Sequence, residues 1–569
     1  MKRMRVRITF VVLLAIGLAF VNCPEPDNKS SGGDKGLYAD LFDTAKGFPA
    51  ELSNCWKIYG QRNALITQGF GADPTVFVYN DRVYLFASND SLMYDADGKV
   101  IQMTYADGIQ GLRAISSADL ANWTDHGLIN VGNTPASTNT LDPYGPRVTS
   151  YDTRAWAPSA VWKKINGQDK FFIYFANSGN GIGVITADNP AGPWTSPLNK
   201  LLIDRDTPTC QAVTDAEDKE IIDPTGVYWL FDPGAMVDND GQGYIFFGGG
   251  NKGDNNARRV KLGDNMISLD EEPQRWGPPE GLFEDNEIVK INNKYYYSYC
   301  KNGGMIAYMA SDAPFGTYSA AKDILRSPQS QLGTPDQNNH HCIFQFKGDT
   351  YIAYHASSVS PAMGTTFRYR SSHINRVNIN SDGDISPITM NRTGVPQKGN
   401  FNPYALNEAE TIGIMGGIFT RADSEAGNGM LVTAIDSGDW VAVYKADFSA
   451  GDSGGAKKFT ARVRMPETPA DYVGAIELRL DPEREGEAAA LTTGKTTRIK
   501  GGEVIGRVKF EGSAGEFTEV TIDLYKTVTG THDLVFVFYS SLGAKPITAA
   551  NMKESHHKNG FEFDQWQFK

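Results

Sequence analysis

A strand–turn–strand cassette recurs five times in the first 360 residues of this chain, and a repeat of that kind restricts the fold to sheets set side by side. The copies are TVFVYNDRVYLFAS from Thr75, SAVWKKINGQDKFFIYFANS from Ser159, GAMVDNDGQGYIFFGG from Gly234, EIVKINNKYYYSYC from Glu287 and CIFQFKGDTYIAYH from Cys342. Each has two alternating apolar runs around an Asn/Asp/Gly turn, with Tyr and Phe concentrated in the second, which is the signature of a β-hairpin. Their irregular spacing suits blades with variable insertions and predicts an all-β fold opening with a five-bladed β-propeller. Asp73, Asp232 and Glu284 lie at nearly one offset, 11 or 12 residues before the paired aromatics of the first, third and fourth copies. Equivalent positions in different blades point at one axis, so three carboxylates are expected to converge in one pocket.

The chain has 569 residues, enough for two to four domains, and its 40% hydrophobic and 21% charged content describe a globular protein. A net charge of −13 argues against nucleic acid, which requires a basic stripe, and is compatible with a neutral polymer. Lys2, Arg3, Arg5 and Arg7 precede an apolar run from Ile8 to Val21, a secretory signal over residues 1–22. Cys23 follows directly and resembles the lipidated cysteine of bacterial lipoproteins, although Asn22 and Phe20 depart from the usual pattern. A polar Gly/Ser-rich tether over 23–36 completes the picture of an exported protein anchored to a membrane by lipid, or otherwise secreted. Cys55, Cys210, Cys300 and Cys342 allow three pairings, among which sequence does not choose.

The propeller is expected over 37–390. NRTGVPQKGNFNP, residues 391–403, reads as a linker, and 404–569 as a β-sandwich of the jelly-roll kind, built from segments such as DWVAVYKADF, KFTARVRM and HDLVFVFYS. Helix is scarce throughout.

Glycosidic bonds are broken between two carboxyl groups, a protonated acid for the leaving oxygen and a base or nucleophile, and a further carboxylate nearby raises the acid's pKa. Asp73 in GFGADPTVF, Asp232 in WLFDPGAMVDNDG and Glu284 in GLFEDNEIVK meet that need. Asp223 competes with Asp232, and Asp285 and Glu287 compete with Glu284; register favours the chosen trio.

Over residues 60–390 the chain resembles glycoside hydrolase family 43, close to its arabinoxylan arabinofuranohydrolases. The resemblance is carried by ADPTVFVYNDRVYLFASND, NWTDHG (Asn122–Gly127), WAPSAVW, DPGAMVDNDGQGYIFFGG, FEDNEIVKINNKYYYSY, NHHCIFQFKGDTYIAYH and RSSHINRV. It implies Asp73 as general base, Glu284 as general acid, Asp232 as modulator of the acid's pKa, and an inverting reaction. It also implies that Arg370, with Arg368 and Arg376 as competitors, contacts substrate beside the acid and base. His340 or His341 would stand at the axis beside a calcium ion. Trp156 would form a pocket wall, and Asn89 stands where the family often has a His before Asp.

The last segment resembles a carbohydrate-binding module of family 6 through LNEAETI, GMLVTAIDSGDWVAVYKADF, GTHDLVFVF and FEFDQWQF. That resemblance implies a structural calcium held by Glu408, Glu410 and Asp564, and sugar contacts at Phe517 and Asn559. The resulting expectation is an inverting hydrolase releasing α-L-arabinofuranosyl branches from arabinoxylan or a related plant cell-wall polysaccharide, with no cofactor for catalysis. β-Xylosidase, endo-xylanase and arabinanase activities, or a non-catalytic surface glycan-binding lipoprotein, are the alternatives.

Overall fold

The computed structural model describes residues 52–569 except 103–104, 110, 133–146, 153, 216, 218, 221–222, 224, 251–256, 277–280, 364–368, 450, 452–453, 486–496, 513–514 and 545–558. The expected signal segment, the tether with Cys23, and Arg368 lie outside the described residues. Every cassette is an antiparallel hairpin. In the first, Ala72–Tyr79 pairs with Arg82–Ser88, Tyr79 opposite Arg82. Asn80 and Asp81 between them have φ of 48° and 56°. Asn166-Gly167, Asn292-Asn293 and Lys347-Gly348 repeat that left-handed pair, the two-residue turn whose twist matches that of the strands.

Each hairpin is the inner part of its own sheet. The first sheet continues through Leu112–Ser117 and Trp123–Ile129. The second is Trp156–Ile165, Gln168–Ala176 and Ile182–Ala187. The third starts with Gly234–Val237, the fourth with Leu282–Ile291 and the last with His341–Phe346. Their first strands neighbour one another in that order, and His341–Phe346 packs back against Ala72–Tyr79 to close a propeller ring. Aromatics fill the space between sheets: Phe77 meets both Phe86 and Phe171, and Phe246 meets Tyr297. The short-turned hairpins therefore supply both the walls and the mortar of the ring.

From Ile414 onward two sheets face each other. One orders Phe419–Ala422, Met430–Thr433, Glu562–Phe568, Ala456–Arg464 and Phe517–Val528. The other orders Ile414–Gly416, Trp440–Asp447, Thr531–Ser540, Val473–Leu480 and Glu503–Glu511. Between them lie Phe459, Phe536, Phe563, Trp566 and Phe568, all buried. The inward residues alternate with half-buried or exposed ones, as along 507–511, so period-2 patterning is what makes this part a sandwich. Among the described residues helix is confined to two single turns, Tyr105–Gly108 and Pro328–Leu332.

The strand Thr411–Ile412 belongs to neither sandwich sheet. It pairs antiparallel with Trp123–Ile129 and becomes the outermost strand of the first propeller sheet.

Candidate active site

The inner strands are locked in a common register. Thr75 Oγ1 accepts the Ala160 amide at 3.0 Å, and Ser159 Oγ accepts the Ala235 amide at 2.8 Å. Two residues before Thr75, Ser159 and their counterpart Gly234, the residues Asp73, Ala157 and Asp232 take φ of 50°, 41° and 48°. The left-handed residue turns the chain into the strand and aims its side chain at the axis. In the fourth sheet the residue with this conformation is Asp285, at φ 68°, and not Glu284. Register there shifts on both sides of Glu284. The bulge lets Asp285 sink below the pocket while Glu284, one residue earlier, reaches it.

Asp73, Asp232 and Glu284 do converge. They line one cavity of about 390 Å³ with His340, Arg370 and Trp156. Tyr105, Trp229 and Phe283 complete its apolar walls, Trp229 standing edge-on to Phe283 with ring centres 5.4 Å apart. Asp285 is fully buried beneath, 3.0 Å from His340 Nε2 and 2.5 Å from His341 Nδ1, and its Oδ2 accepts the His341 amide. Asp223 is a half-buried turn residue holding Thr225, away from the cavity.

The three acids differ sharply in environment. Burial pushes the Asp73 carboxyl up, but Arg370, whose Nη1 donates to Oδ1 at 3.0 Å, His355 and His340 outweigh it and hold Asp73 well below the ordinary carboxylate range. Burial raises Glu284 to about 8, helped by the charge of Asp232. Its Oε1 is buried without a hydrogen-bond partner. Burial also raises Asp232 to about 7, against the pull of His340 and of the Asp285 amide that its Oδ2 accepts at 2.9 Å. Burial pushes the His340 imidazole down, yet Asp285, Asp73 and Asp232 bring it to about 10. One carboxyl is thus an anion and another a neutral acid around neutral pH, the division of labour that acid–base cleavage requires.

Arg370 is 2% exposed and forks onto Asp90, Nε to Oδ2 at 2.9 Å and Nη2 to Oδ1 at 2.8 Å, leaving Nη1 for Asp73. Asp90 was not among the expected site residues; its neighbour Asn89 was. Asn89 is buried just past the end of the Arg82–Ser88 strand, donates to Ser91 Oγ and does not line the cavity. Tyr105, whose ring lies 5.1 Å from the Arg370 guanidinium, and Trp229 were also missed. Neither lies in a cassette, so the repeat gave no signal for them. Arg376 is on the surface with Asp349. His341 lies behind the cavity wall, bonded to Asp285 and to Ser298 Oγ at 2.7 Å.

In the sandwich, Asn559 lines a separate cavity of about 580 Å³ with Arg421, Arg464, Phe561 and Glu562. Phe517 does not line it. Its ring is covered by the Arg462 and Arg464 guanidinium groups at 4.0 and 4.5 Å. Glu408 pairs with Gln565 Nε2 at 3.1 Å, and Asp564 is engaged by Arg462 and the Gly427 amide. Glu410 is wholly buried with both carboxylate oxygens unbonded, a donor set that a hard cation would satisfy. No group of three or more His, Cys, Asp or Glu side chains has the spacing of a metal site among the described residues. Cys55, Cys210, Cys300 and Cys342 are all unpaired and buried.

Residues 62–385 match the profile of Glycosyl hydrolases family 43, and residues 408–554 that of Carbohydrate binding module (family 6). The chain is similar to an arabinoxylan arabinofuranohydrolase of Paenibacillus polymyxa, 40% identical over 512 residues, covering 85% of this chain and 73% of that protein. It is 38% identical over 547 residues to an arabinoxylan arabinofuranohydrolase of Bacillus subtilis, covering 92% and 95%. A crystal structure of a family 43 arabinoxylan arabinofuranohydrolase from Bacillus subtilis, in complex with cellotetraose, superposes with a TM-score of 0.75 at 37% identity, over 91% of this chain and 99% of that one.

Proposed function

We propose, because the chain belongs to glycosyl hydrolase family 43, that it is an inverting α-L-arabinofuranosidase acting on the side chains of arabinoxylan. The observation that carries this reading is the opposite tuning of two carboxyls in one cavity. Asp73 is kept ionised by Arg370, and Glu284 is kept protonated up to about pH 8. Glu284 donates its proton to the leaving glycosidic oxygen. Asp73 takes a proton from a water that attacks the anomeric carbon from the other face, and the product has inverted configuration. Asp232 holds Glu284 in its acid form, and Arg370 orients Asp73 while its positive charge restrains protonation of the base. Trp156, Trp229 and Tyr105 give the sugar apolar walls, and a cavity of about 390 Å³ matches a single bound residue with part of its aglycone better than a long open groove. The two relatives with 40% and 38% identity support arabinose as the sugar removed.

The ring is read as a five-bladed propeller over residues 37–390, followed by the linker 391–403 and a glycan-binding sandwich over 404–569 in which Asn559 contacts sugar. Glu410, whose two buried carboxylate oxygens have no hydrogen-bond partner, would be the ligand of a structural calcium; Glu408 and Asp564, expected beside it, are taken up by Gln565 and by Arg462 and the Gly427 amide. His340, expected beside an ion at the propeller axis, is raised to about 10 by Asp285, Asp73 and Asp232 and so carries a proton where a metal would need a lone pair. The N-terminal segment is read as an export signal with lipidation at Cys23; a Cys23→Ala protein that still incorporates labelled fatty acid would refute that anchor.

The test is incubation with arabinoxylan while the released sugar is followed by NMR. Free arabinose appearing first as the inverted anomer is expected, and its absence in Asp73→Asn of unchanged fold identifies the base. Release of xylose or xylo-oligosaccharides without arabinose, or a retained anomer, would overturn the reading.

A further inference from the structure

The Asn122–Gly127 segment, NWTDHG, lies at the outer edge of the first propeller sheet, and its residues touch the sandwich almost one after another. Asn122 grips the main chain of Tyr444, accepting its amide at 2.7 Å and donating to its carbonyl at 3.0 Å. Trp123 and Thr124 pair with Ile412 and Thr411, whose hydroxyl lies 2.8 Å from that of Thr124. The Asp125 amide donates to Glu410 O, and Asp125 Oδ2 accepts from Thr420 Oγ1 at 2.7 Å. Gly127 has φ +78°, and a methyl group there would stand 2.7 Å from Met430 Sδ.

Asp125 also faces inward. It is fully buried, receives Arg113 Nη1 on both oxygens at 3.0 and 3.2 Å, and lies 3.5 Å from Gln68 Nε2. The Arg113 guanidinium is pressed against Gly69, where a methyl group would come within 2.6 Å of it. Gln68 and Gly69 begin the run that ends in Asp73. A second route starts beside Thr420. Phe419 and Ala434 of the sandwich share one apolar cluster with Phe70, Ile109 and Tyr369. The rings of Phe70 and Tyr369 lie 5.2 Å apart, Phe70 three residues before Asp73 and Tyr369 one before Arg370.

We propose that the sandwich is a positioning element of the catalytic pocket: Thr420, through Asp125 and Arg113, and Phe419, through Phe70 and Tyr369, fix the main chain that presents Asp73 and Arg370. Glycan attachment and base placement are then two tasks of one domain, and removing the sandwich damages the chemistry as well as the binding. This rests on the reading of Asp73 as the base.

The test uses the full chain and a small aryl arabinofuranoside, which has no polymer for the sandwich to hold. Thr420→Val keeps the shape and removes the donor. It is expected to lower kcat about tenfold, within the hundredfold that a displacement near 1 Å can produce, while KM changes less than about twofold. Thr420→Ser restores the rate, and Phe419→Ala lowers kcat in the same way. Hydrogen exchange across residues 68–73 accelerates in Thr420→Val, with retention on an arabinoxylan gel unchanged. Wild-type kcat and unaltered exchange in both Thr420→Val and Phe419→Ala would overturn the proposal. A wild-type chain inert towards arabinofuranosides would instead refute the assigned reaction, and exchange at 68–73 would still decide the positioning.

Discussion

Asp232→Asn isolates the charge that tunes the acid. Asparagine keeps the volume of Asp232 and an oxygen for the Asp285 amide, so the burial that dominates the Glu284 shift remains while the neighbouring negative charge is lost. A glutamic acid titrating at about 8 is roughly 99% protonated at pH 6; one at the ordinary value of 4.5 would be only about 3% protonated, some thirtyfold less competent. Two unit charges about 6–8 Å apart at an effective dielectric near 20 interact by about 2–3 kcal/mol, and exposure of the cavity mouth reduces what this pair feels. The alkaline fall of kcat/KM is therefore expected to move down by about one to two pH units in Asp232→Asn. At pH 7.5 a fall centred near 6.5 leaves roughly one tenth of the molecules with the proton in place. Asp232 itself is raised to about 7, so the wild-type fall belongs to the pair and spans both ionisations, whereas the variant follows a single group. The assay is kcat/KM for an aryl arabinofuranoside from pH 4 to 10, with Glu284→Gln as control. That control should lose the alkaline fall altogether and about 10²–10⁴ in rate on substrates with poor leaving groups. An alkaline fall at the same pH in Asp232→Asn as in the wild type would refute the coupling, and one persisting in Glu284→Gln would remove Glu284 as the acid.

Arg370→Lys should reduce kcat/KM by about 100-fold or more, because an ammonium cannot fork to Asp90 and still reach Asp73; the acid flank of its pH profile should also move upward as Asp73 loses direct contact with the cation that depresses it. Removing divalent cations with a chelator should lower the melting temperature of the wild type, with calcium restoring it, while Glu410→Gln should be nearly insensitive to both treatments. His373 is buried and its imidazole is pushed down to about 3 by desolvation. Between pH 6.5 and that value the unfolded chain binds a proton that the folded one refuses, so stability falls with falling pH through this window. The stability gap between wild type and His373→Gln, from urea unfolding, should close by about 1.4 kcal/mol per pH unit below 6.5.

Why the repeat found the pocket, and where it misled, comes down to the bulge in the fourth sheet. Hairpins are legible because their information is local: alternation sets the strands, and pairs such as Asn80-Asp81 and Asn292-Asn293 accept the left-handed turn that joins them. Counting back from the aromatics then reaches the left-handed residue of the first, third and fourth inner strands to within one residue. In a strand, however, one residue is the difference between two faces. By strict register Asp285 is the counterpart of Asp73 and Asp232, yet the irregular pairing around Glu284 places Asp285 under the two histidines and Glu284 in the cavity. Asn89, just past a strand end, also misses by one step, since it is Asp90 that holds Arg370. Long-range partners leave no local trace at all. Nothing near Thr420 in the sequence announces Asp125, nearly three hundred residues away, and nothing near Phe517 announces the two arginines that cover it. The NWTDHG segment shows the limit most clearly: several of its partners belong to a domain that the chain makes only after the propeller, so those contacts become visible only when both halves are folded together.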